Sequence, residues 1–426
     1  MDHCYRMLVN DSSCCLDTAM PRSVMHRTLQ RLGTAWECEP PECVSSLHGH
    51  RGDDRIWLPG DVDCSSPRVL YLHGGSWSYG SPVTSGYAEF AAKLANVTGA
   101  MVMVPDYPLV SGKIGRRGQG NFSSIMNASI SALRWLASNG PTADCLDDSS
   151  VPLFIAGDSS GGGSALSLAI LVSTQPHLLP GRSIRGVFLY SPWTNLMCNS
   201  PEYYHNAFAR IEESSVWAQS LLRMRKRGAA NYSAFVGDII FRPPPRENSE
   251  RFIADAEGYT SFDNSLLTDS VASPYYAGPE QLEKLPPLYI SVGGSESILG
   301  DSIVVAEKAA NSGIHVHLDV HPGMWHVFPM YAEGCGSGHP LWNGLRVLNY
   351  TALFVRHLSE TSRPPYVLSV QRPMGDESQR LQPYTTVSYN PAVPSLSETD
   401  SLLGEHLEFI KELRYQNLRN RAAAHT

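Results

Sequence analysis

The sequence predicts an α/β fold with a mostly parallel central sheet flanked by helices. Three observations carry this prediction. From about Arg68 to Ser359, short β-branched or aromatic runs alternate with helical stretches, the pattern of parallel strands joined by helical crossovers. A Gly or Pro bounds most of these runs, which are too short to be core helices. The 426-residue chain is 42 % apolar, enough for at least one large core, and 17 % charged. That composition excludes collagen-like, coiled-coil and strongly disordered architectures for most of its length.

The elements follow in order. Residues 1–65 are mixed and rich in cysteine, and are expected to supply an edge strand near Ile56–Leu58 and part of a lid. The α/β domain, 66–360, opens with strand Val69–Leu72, helix Tyr87–Asn96, strand Ala100–Val104 and helix Ser123–Ser138. It continues through strand Pro152–Ala156, helix Gly162–Ser173 and strand Ile184–Tyr190. Residues 199–271 break the alternation with a helical stretch, Ile211–Arg227, and the turn Pro243-Pro244-Pro245, and read as a lid insertion above the sheet. Strand Leu288–Val292, helix Ser302–Asn311, strand Val316–Val320 and helix Leu345–Leu358 complete the domain. Right-handed crossovers then place helices on both faces. Residues 361–426 are Ser-, Pro- and Gln-rich and are expected to be a mostly disordered tail.

Several function classes are excluded early. Lys+Arg 33 against Asp+Glu 41 gives a net charge of −8, so a nucleic-acid partner has no electrostatic support. The basic run Arg223–Arg227 reads as the solvated face of a helix. No apolar stretch approaches the 18 or so residues of a membrane span. Asp2, Arg6, Asn10 and Asp11 interrupt the N-terminus where a secretory segment needs an unbroken apolar run, so a soluble, cytoplasmic protein is expected. Nine cysteines, an odd total, favour reduced thiols, with a disulfide in the Cys-rich N-terminal segment left open. Six Asn-x-Ser/Thr sequons begin at Asn10, Asn96, Asn121, Asn127, Asn231 and Asn349; three fall inside expected helices, and no role is assigned to them.

The strongest chemical signal is Phe154-Ile155-Ala156-Gly157-Asp158-Ser159-Ser160-Gly161-Gly162, a strand running directly into Gly-x-Ser-x-Gly and a small-residue helix. A turn this tight admits only small flanking residues and presents Ser159 above the sheet edge. The Ser160 N–H then sits at a helix N-terminus, where amides favour negative charge. A second strand ends in His73-Gly74-Gly75-Ser76-Trp77. Gly74 and Gly75 can bring bare backbone N–H groups to a carbonyl oxygen as it becomes negative.

A serine nucleophile needs a base, and the base an orienting acid. Glu296 lies in the Gly turn after strand Leu288–Val292, and His326 lies beyond strand Val316–Val320. Both follow strand C-termini, on the same rim as Ser159. Asp301 is the one competitor for the acid, but is expected to N-cap helix Ser302–Asn311. His315, His317, Asp319 and His321 share one face of a strand but spread along about 20 Å, too far to meet at one ion, so a half-exposed strand face is expected. His48-Gly49-His50 reads as a loop, and no phosphate-cradling motif appears, so neither metal nor cofactor is expected.

Together these segments resemble the α/β-hydrolase fold-3 family, the hormone-sensitive-lipase-like serine esterases. The resemblance covers about residues 68–356. It includes His73–Ser76, Pro105–Leu109, Gly157–Gly162, Ser191–Asn195, Ala272–Ala277, Leu285–Pro287 and His326–Phe328. It implies an α/β-hydrolase fold with a helical lid, acting on small-molecule carboxylic esters of short-to-medium acyl or acetyl type. Ser159 is then the nucleophile, Glu296 the acid, His326 the base, and Gly74, Gly75 and Ser160 the oxyanion donors. Ser76, Trp77 and Asp158, beside them in the chain, are the expected substrate contacts. The chain departs from the family in having Ser76 for the third glycine, Ser160 for alanine, and Glu296 where aspartate is commoner.

Two other readings stay open. His73-Gly74-Gly75-Ser76-Trp77 also resembles the aryl-formamidase version of the fold, which cleaves amides. A binding protein on a hydrolase scaffold usually loses a triad member, and here a candidate for each is retained.

Overall fold

The computed structural model describes residues 54–84, 86–110, 120–142, 144–145, 148–200, 202, 256, 258–261, 263–294, 296–322, 324–332, 341–361 and 385–389. Most of the lid insertion, including the expected helix Ile211–Arg227, most of the N-terminal segment and most of the tail lie outside them. The strands are β1 (Arg55–Trp57), β2 (Arg68–Leu72), β3 (Met101–Val104), β4 (Leu153–Asp158), β5 (Ile184–Tyr190), β6 (Leu288–Gly293), β7 (Val316–His321) and β8 (Thr385–Tyr389). They form one eight-stranded sheet in the order β1-β3-β2-β4-β5-β6-β7-β8. Strands β2 to β7 run parallel through the sheet, and β1 and β8 pair antiparallel at its two edges.

The period-2 pattern of the strands separates two cores. In β2, Leu70 and Leu72 face one core while Val69 and Tyr71 face the other; in β4, Leu153 and Ile155 oppose Phe154 and Ala156. Helices α1 (Tyr87–Thr98) and α5 (Trp342–Glu360) cover the second core, and α2 (Phe122–Ser138), α3 (Ser159–Thr174) and α4 (Leu299–Asn311) cover the first. Because both faces are covered, the strands read as continuous apolar runs.

Local chemistry sets the helix ends. Asn121 caps α2 by accepting Ser124 N–H at 2.9 Å, and Ser124 Oγ returns the contact to Asn121 N–H at 2.8 Å, an arrangement worth about 1 kcal/mol. Gly99 ends α1 in the left-handed region at φ 67°. Helix α3 is apolar or small on nearly every face, as a buried helix must be. A Cβ at Gly161 would stand 2.2 Å from the carbonyl oxygens of both Leu72 and His73, so glycine lets α3 approach the end of β2.

Four expectations are corrected. The tail supplies β8, which pairs with β7 from Val316↔Tyr389 to Val320↔Thr385. The His315–His321 face is buried instead of half-exposed: β7 has a strand on each side and α5 against it, with His317 stacked on Tyr350 at 3.9 Å. Within it, His317 Nε2 lies 3.0 Å from Asp319 Oδ1, and Tyr289 O–H donates to Asp319 Oδ2 at 3.1 Å. Asp301 lies inside α4 and is not its N-cap. Cys64 and Cys145 form a disulfide with 5.2 Å between Cα atoms, contrary to the reduced thiols expected. They precede β2 and β4, neighbours in the sheet, so residues 81 positions apart in sequence are adjacent in space.

Candidate active site

Three strand ends converge on one rim. Ser159 is the first residue of α3, directly after β4, with φ 51°. A left-handed serine costs roughly 1–2 kcal/mol. That strain is held by its surroundings: a Cβ at Gly157 would stand 2.5 Å from Gly161 O, and Ser159 O accepts Trp193 N–H at 2.8 Å.

His326 follows β7 and stands between the other two groups. Its Nε2 is 2.9 Å from Ser159 Oγ, and its Nδ1 is 2.6 Å from Glu296 Oε2. With Nδ1–H donating to the carboxylate, Nε2 is left to accept from the serine hydroxyl. Glu296 is fully buried. Its other oxygen accepts Ser191 O–H at 2.8 Å and Gly293 N–H at 2.5 Å. Ser191 Oγ also accepts Val327 N–H at 3.1 Å. Val327 has φ 48°, an outlier for a β-branched residue, so Ser191 ties Glu296 to the strained step beside His326. Sequence reasoning assigned Ser191 no role, although it ends β5 on the same rim.

Asp301 does not compete for His326. Its Oδ2 accepts the N–H groups of Thr194 and Asn195, each at 2.8 Å, and so fixes the loop after β5.

The glycine loop departs from expectation. The N–H of Gly74, expected as an oxyanion donor, donates to Asp158 Oδ1 at 3.0 Å and lies 2.8 Å from Tyr87 Oη. Among the described residues, no acceptor takes the N–H of Gly75, Ser76 or Ser160. Gly75 is required as glycine, with φ 117° and a virtual Cβ 2.1 Å from Tyr79 O.

Asp158 and Trp77, expected as substrate contacts, are engaged within the protein. Asp158 is 1 % exposed and accepts Tyr71 O–H at 2.8 Å and Tyr87 O–H at 2.9 Å. Burial raises its carboxyl to about 6, and its donors only partly offset this. Burial, reinforced by the Asp158 charge, pushes both phenols well above their usual range, so they remain donors. The Trp77 indole stacks on Tyr259 at 3.9 Å and donates to Ser164 Oγ at 2.9 Å, which places it in the core. Ser76 adopts φ 53° and its side chain is buried. His73 is neutral, lowered to about 4 by burial; its Nδ1 donates to Gly74 O at 2.7 Å and its ring stacks on Tyr107. Among the described residues, no group of three or more His, Cys, Asp or Glu side chains could hold a metal ion, and no helix is long and apolar enough to cross a membrane.

A serine on a strand-to-helix turn, with a histidine and a carboxylate after later strands of the same rim, is an arrangement that the comparisons with known proteins match. Residues 69–246 and 243–330 match the family described as alpha/beta hydrolase fold. The chain belongs to the alpha/beta hydrolase fold family, in its fold-3 branch. It is similar to a protein named esterase from Acinetobacter venetianus, 25 % identical over 62 % of this chain and 68 % of that one. It is also similar to an acetyl-hydrolase from Streptomyces hygroscopicus, 24 % identical over 68 % and 75 % of the two chains. A Pyrobaculum calidifontis esterase shares the fold with a TM-score of 0.52 and 19 % identity, over 79 % of this chain and 93 % of that one. So does an esterase of the bacterial hormone-sensitive lipase family, with a TM-score of 0.51 and 22 % identity over 71 % and 80 %.

Proposed function

We propose that this alpha/beta hydrolase is a serine esterase cleaving small-molecule carboxylic esters, with Ser159, His326 and Glu296 as its triad. The observation that carries this is the linear relay of 2.9 Å from Ser159 Oγ to His326 Nε2 and 2.6 Å from His326 Nδ1 to Glu296. His326 takes the Ser159 proton as Oγ attacks the ester carbonyl, then protonates the leaving alcohol. Glu296 holds the imidazole in the tautomer that leaves Nε2 free to accept, and stabilises the imidazolium. Water, deprotonated by His326, releases the acid and restores Ser159.

The developing oxyanion is assigned to the amides of Gly75, Ser76 and Ser160, which lack protein acceptors among the described residues. Ser160 adds the positive end of the α3 dipole. Each such donor contributes on the order of 10²–10³ in rate.

Relatives named esterase, carboxylesterase and acetyl-hydrolase favour ester over amide substrates, and acetyl or short-to-medium acyl groups among them. The test is hydrolysis of p-nitrophenyl esters from acetyl to dodecanoyl, wild type beside Ser159→Ala. The variant is expected to lose turnover by roughly 10⁴-fold or more while keeping its fold. A variant retaining most activity overturns the nucleophile, and a dodecanoyl optimum overturns the acyl size.

A further inference from the structure

Two features outside the reaction point to the same compartment. The first is the Cys64–Cys145 disulfide. Such bonds persist in oxidising surroundings and are rare where glutathione and thioredoxin keep thiols reduced. The second is the placement of three sequons. Asn96, Asn127 and Asn349 are all exposed, on α1, α2 and α5. Asn121 is only half-buried and its side chain caps α2, so it is set apart from these.

In each of the three sequons the asparagine meets solvent while the hydroxyl two residues on turns into the core. Thr98 Oγ1 donates to Leu94 O at 2.7 Å, Ser129 Oγ to Ile125 O at 2.8 Å, and Thr351 Oγ1 to Val347 O at 2.9 Å. Folding therefore leaves room for a large substituent on every asparagine, while the hydroxyls needed for recognition become inaccessible. Asn96 also lies near the C-terminal end of α1, which returns from the end of β2 to the start of the parallel strand β3. That is the opposite side of the sheet from Ser159.

We propose that this chain matures in an oxidising secretory compartment and carries N-linked glycans on Asn96, Asn127 and Asn349. The asparagine Nδ2 attacks C1 of the reducing-end sugar of a lipid-diphosphate-linked oligosaccharide. The N–C1 bond forms, the C1–O bond to the diphosphate breaks, the amide proton passes to a transferase base, and the lipid diphosphate leaves. The buried hydroxyls require transfer before α1, α2 and α5 fold, that is, on the entering chain. In the same compartment the Cys64 and Cys145 thiols pass two electrons and two protons to an oxidised disulfide carrier, which leaves as a dithiol. The cytoplasmic location expected from the sequence gives way to this one.

The experiment uses the full-length protein from the cells that make it. Peptide-N-glycosidase treatment in ¹⁸O-water converts each glycosylated asparagine to labelled aspartate, which peptide mass mapping locates. Label is expected on Asn96, Asn127 and Asn349, and digestion without reductant is expected to yield the Cys64 and Cys145 peptides joined. Asn96→Gln, Asn127→Gln and Asn349→Gln, expressed in the same cells, should each remove one glycan step in gel mobility and leave ester hydrolysis unchanged. Absence of label at all three sites, or alkylation of both cysteines without prior reduction, overturns the proposal.

Discussion

Gly74 donates its backbone N–H to Asp158 Oδ1 at 3.0 Å, joining the glycine loop after β2 to the residue beside the nucleophile. Tyr71 and Tyr87 complete the cage around this carboxylate. The loop is thereby fixed with Gly74 turned away from the reaction, and Asp158 acts as a positioning residue. Asp158→Asn replaces one acceptor oxygen by a donor, which would face a phenol or the Gly74 N–H. We expect kcat on p-nitrophenyl acetate to fall about 10–100-fold with little change in KM, because misplacement near 1 Å is enough for such a loss. An unchanged kcat would show that the loop holds its position without Asp158.

Glu296 and Asp301 make opposite predictions. Glu296→Gln places an amide against the His326 Nδ1 proton or against the donors on Oε1, and should lower kcat by roughly 10³–10⁴-fold. Asp301→Asn keeps one carbonyl oxygen for the Thr194 and Asn195 amides. It should cost about 1–3 kcal/mol of stability while leaving kcat within an order of magnitude. Ser191→Ala falls between them, about 10–100-fold in kcat, since it releases both Glu296 and the Val327 amide. Steady-state kinetics on the three variants give the ranking, and the reverse order for Glu296 and Asp301 would move the acid.

Much of this site is written locally. The strand-turn-helix around Ser159 and the strand ends before Glu296 and His326 are each encoded within about ten residues, and parallel β4, β6 and β7 bring them to one rim. What sequence reading misses depends on contacts across the sheet. Which glycine amide is free is decided by Asp158 and Tyr87, outside the loop itself. The outer edge of β7 is paired by a strand from residues 385–389, in a segment whose composition argues for disorder. The pairing of Cys64 with Cys145 follows from the adjacency of β2 and β4, which no spacing rule contains.

The buried histidines set the acid response. His315 and His321 are each lowered to about 4, chiefly by burial. Between the unfolded value near 6.5 and a folded value near 4, the unfolded chain binds protons that the native state refuses. Their contribution to stability is therefore present above about 6.5 and is lost as pH falls toward 4. Asp158, raised to about 6, acts in the opposite sense: its contribution is present below 3.8 and is lost as pH rises through about 6. With His73 also lowered to about 4, the histidines dominate. We expect the thermal midpoint to drop between pH 7 and pH 5. His315→Leu removes a ring whose two nitrogens have no hydrogen-bond partner among the described residues, and should make that drop smaller by a few °C, about 2–4 °C per kcal/mol of linkage removed. An equal drop in wild type and variant would assign the acid response to other groups.

The disulfide gives a prediction that separates stability from catalysis. Cys64 and Cys145 enclose a separation of 81 residues and lie before β2 and β4, whereas Ser159 lies beyond the opposite end of β4. By chain entropy a loop of this length contributes about 4 kcal/mol, within the range of about 0–5 kcal/mol spanned by engineered and native bonds. Cys64→Ala/Cys145→Ala should therefore lower the thermal midpoint by on the order of 10 °C. Its kcat and KM at 25 °C should match wild type, since no triad contact crosses that end of the sheet. An unchanged midpoint would transfer the holding role to Arg68, whose buried guanidinium already clamps the end of α2 through Leu136 O at 3.1 Å and Ala137 O at 2.7 Å.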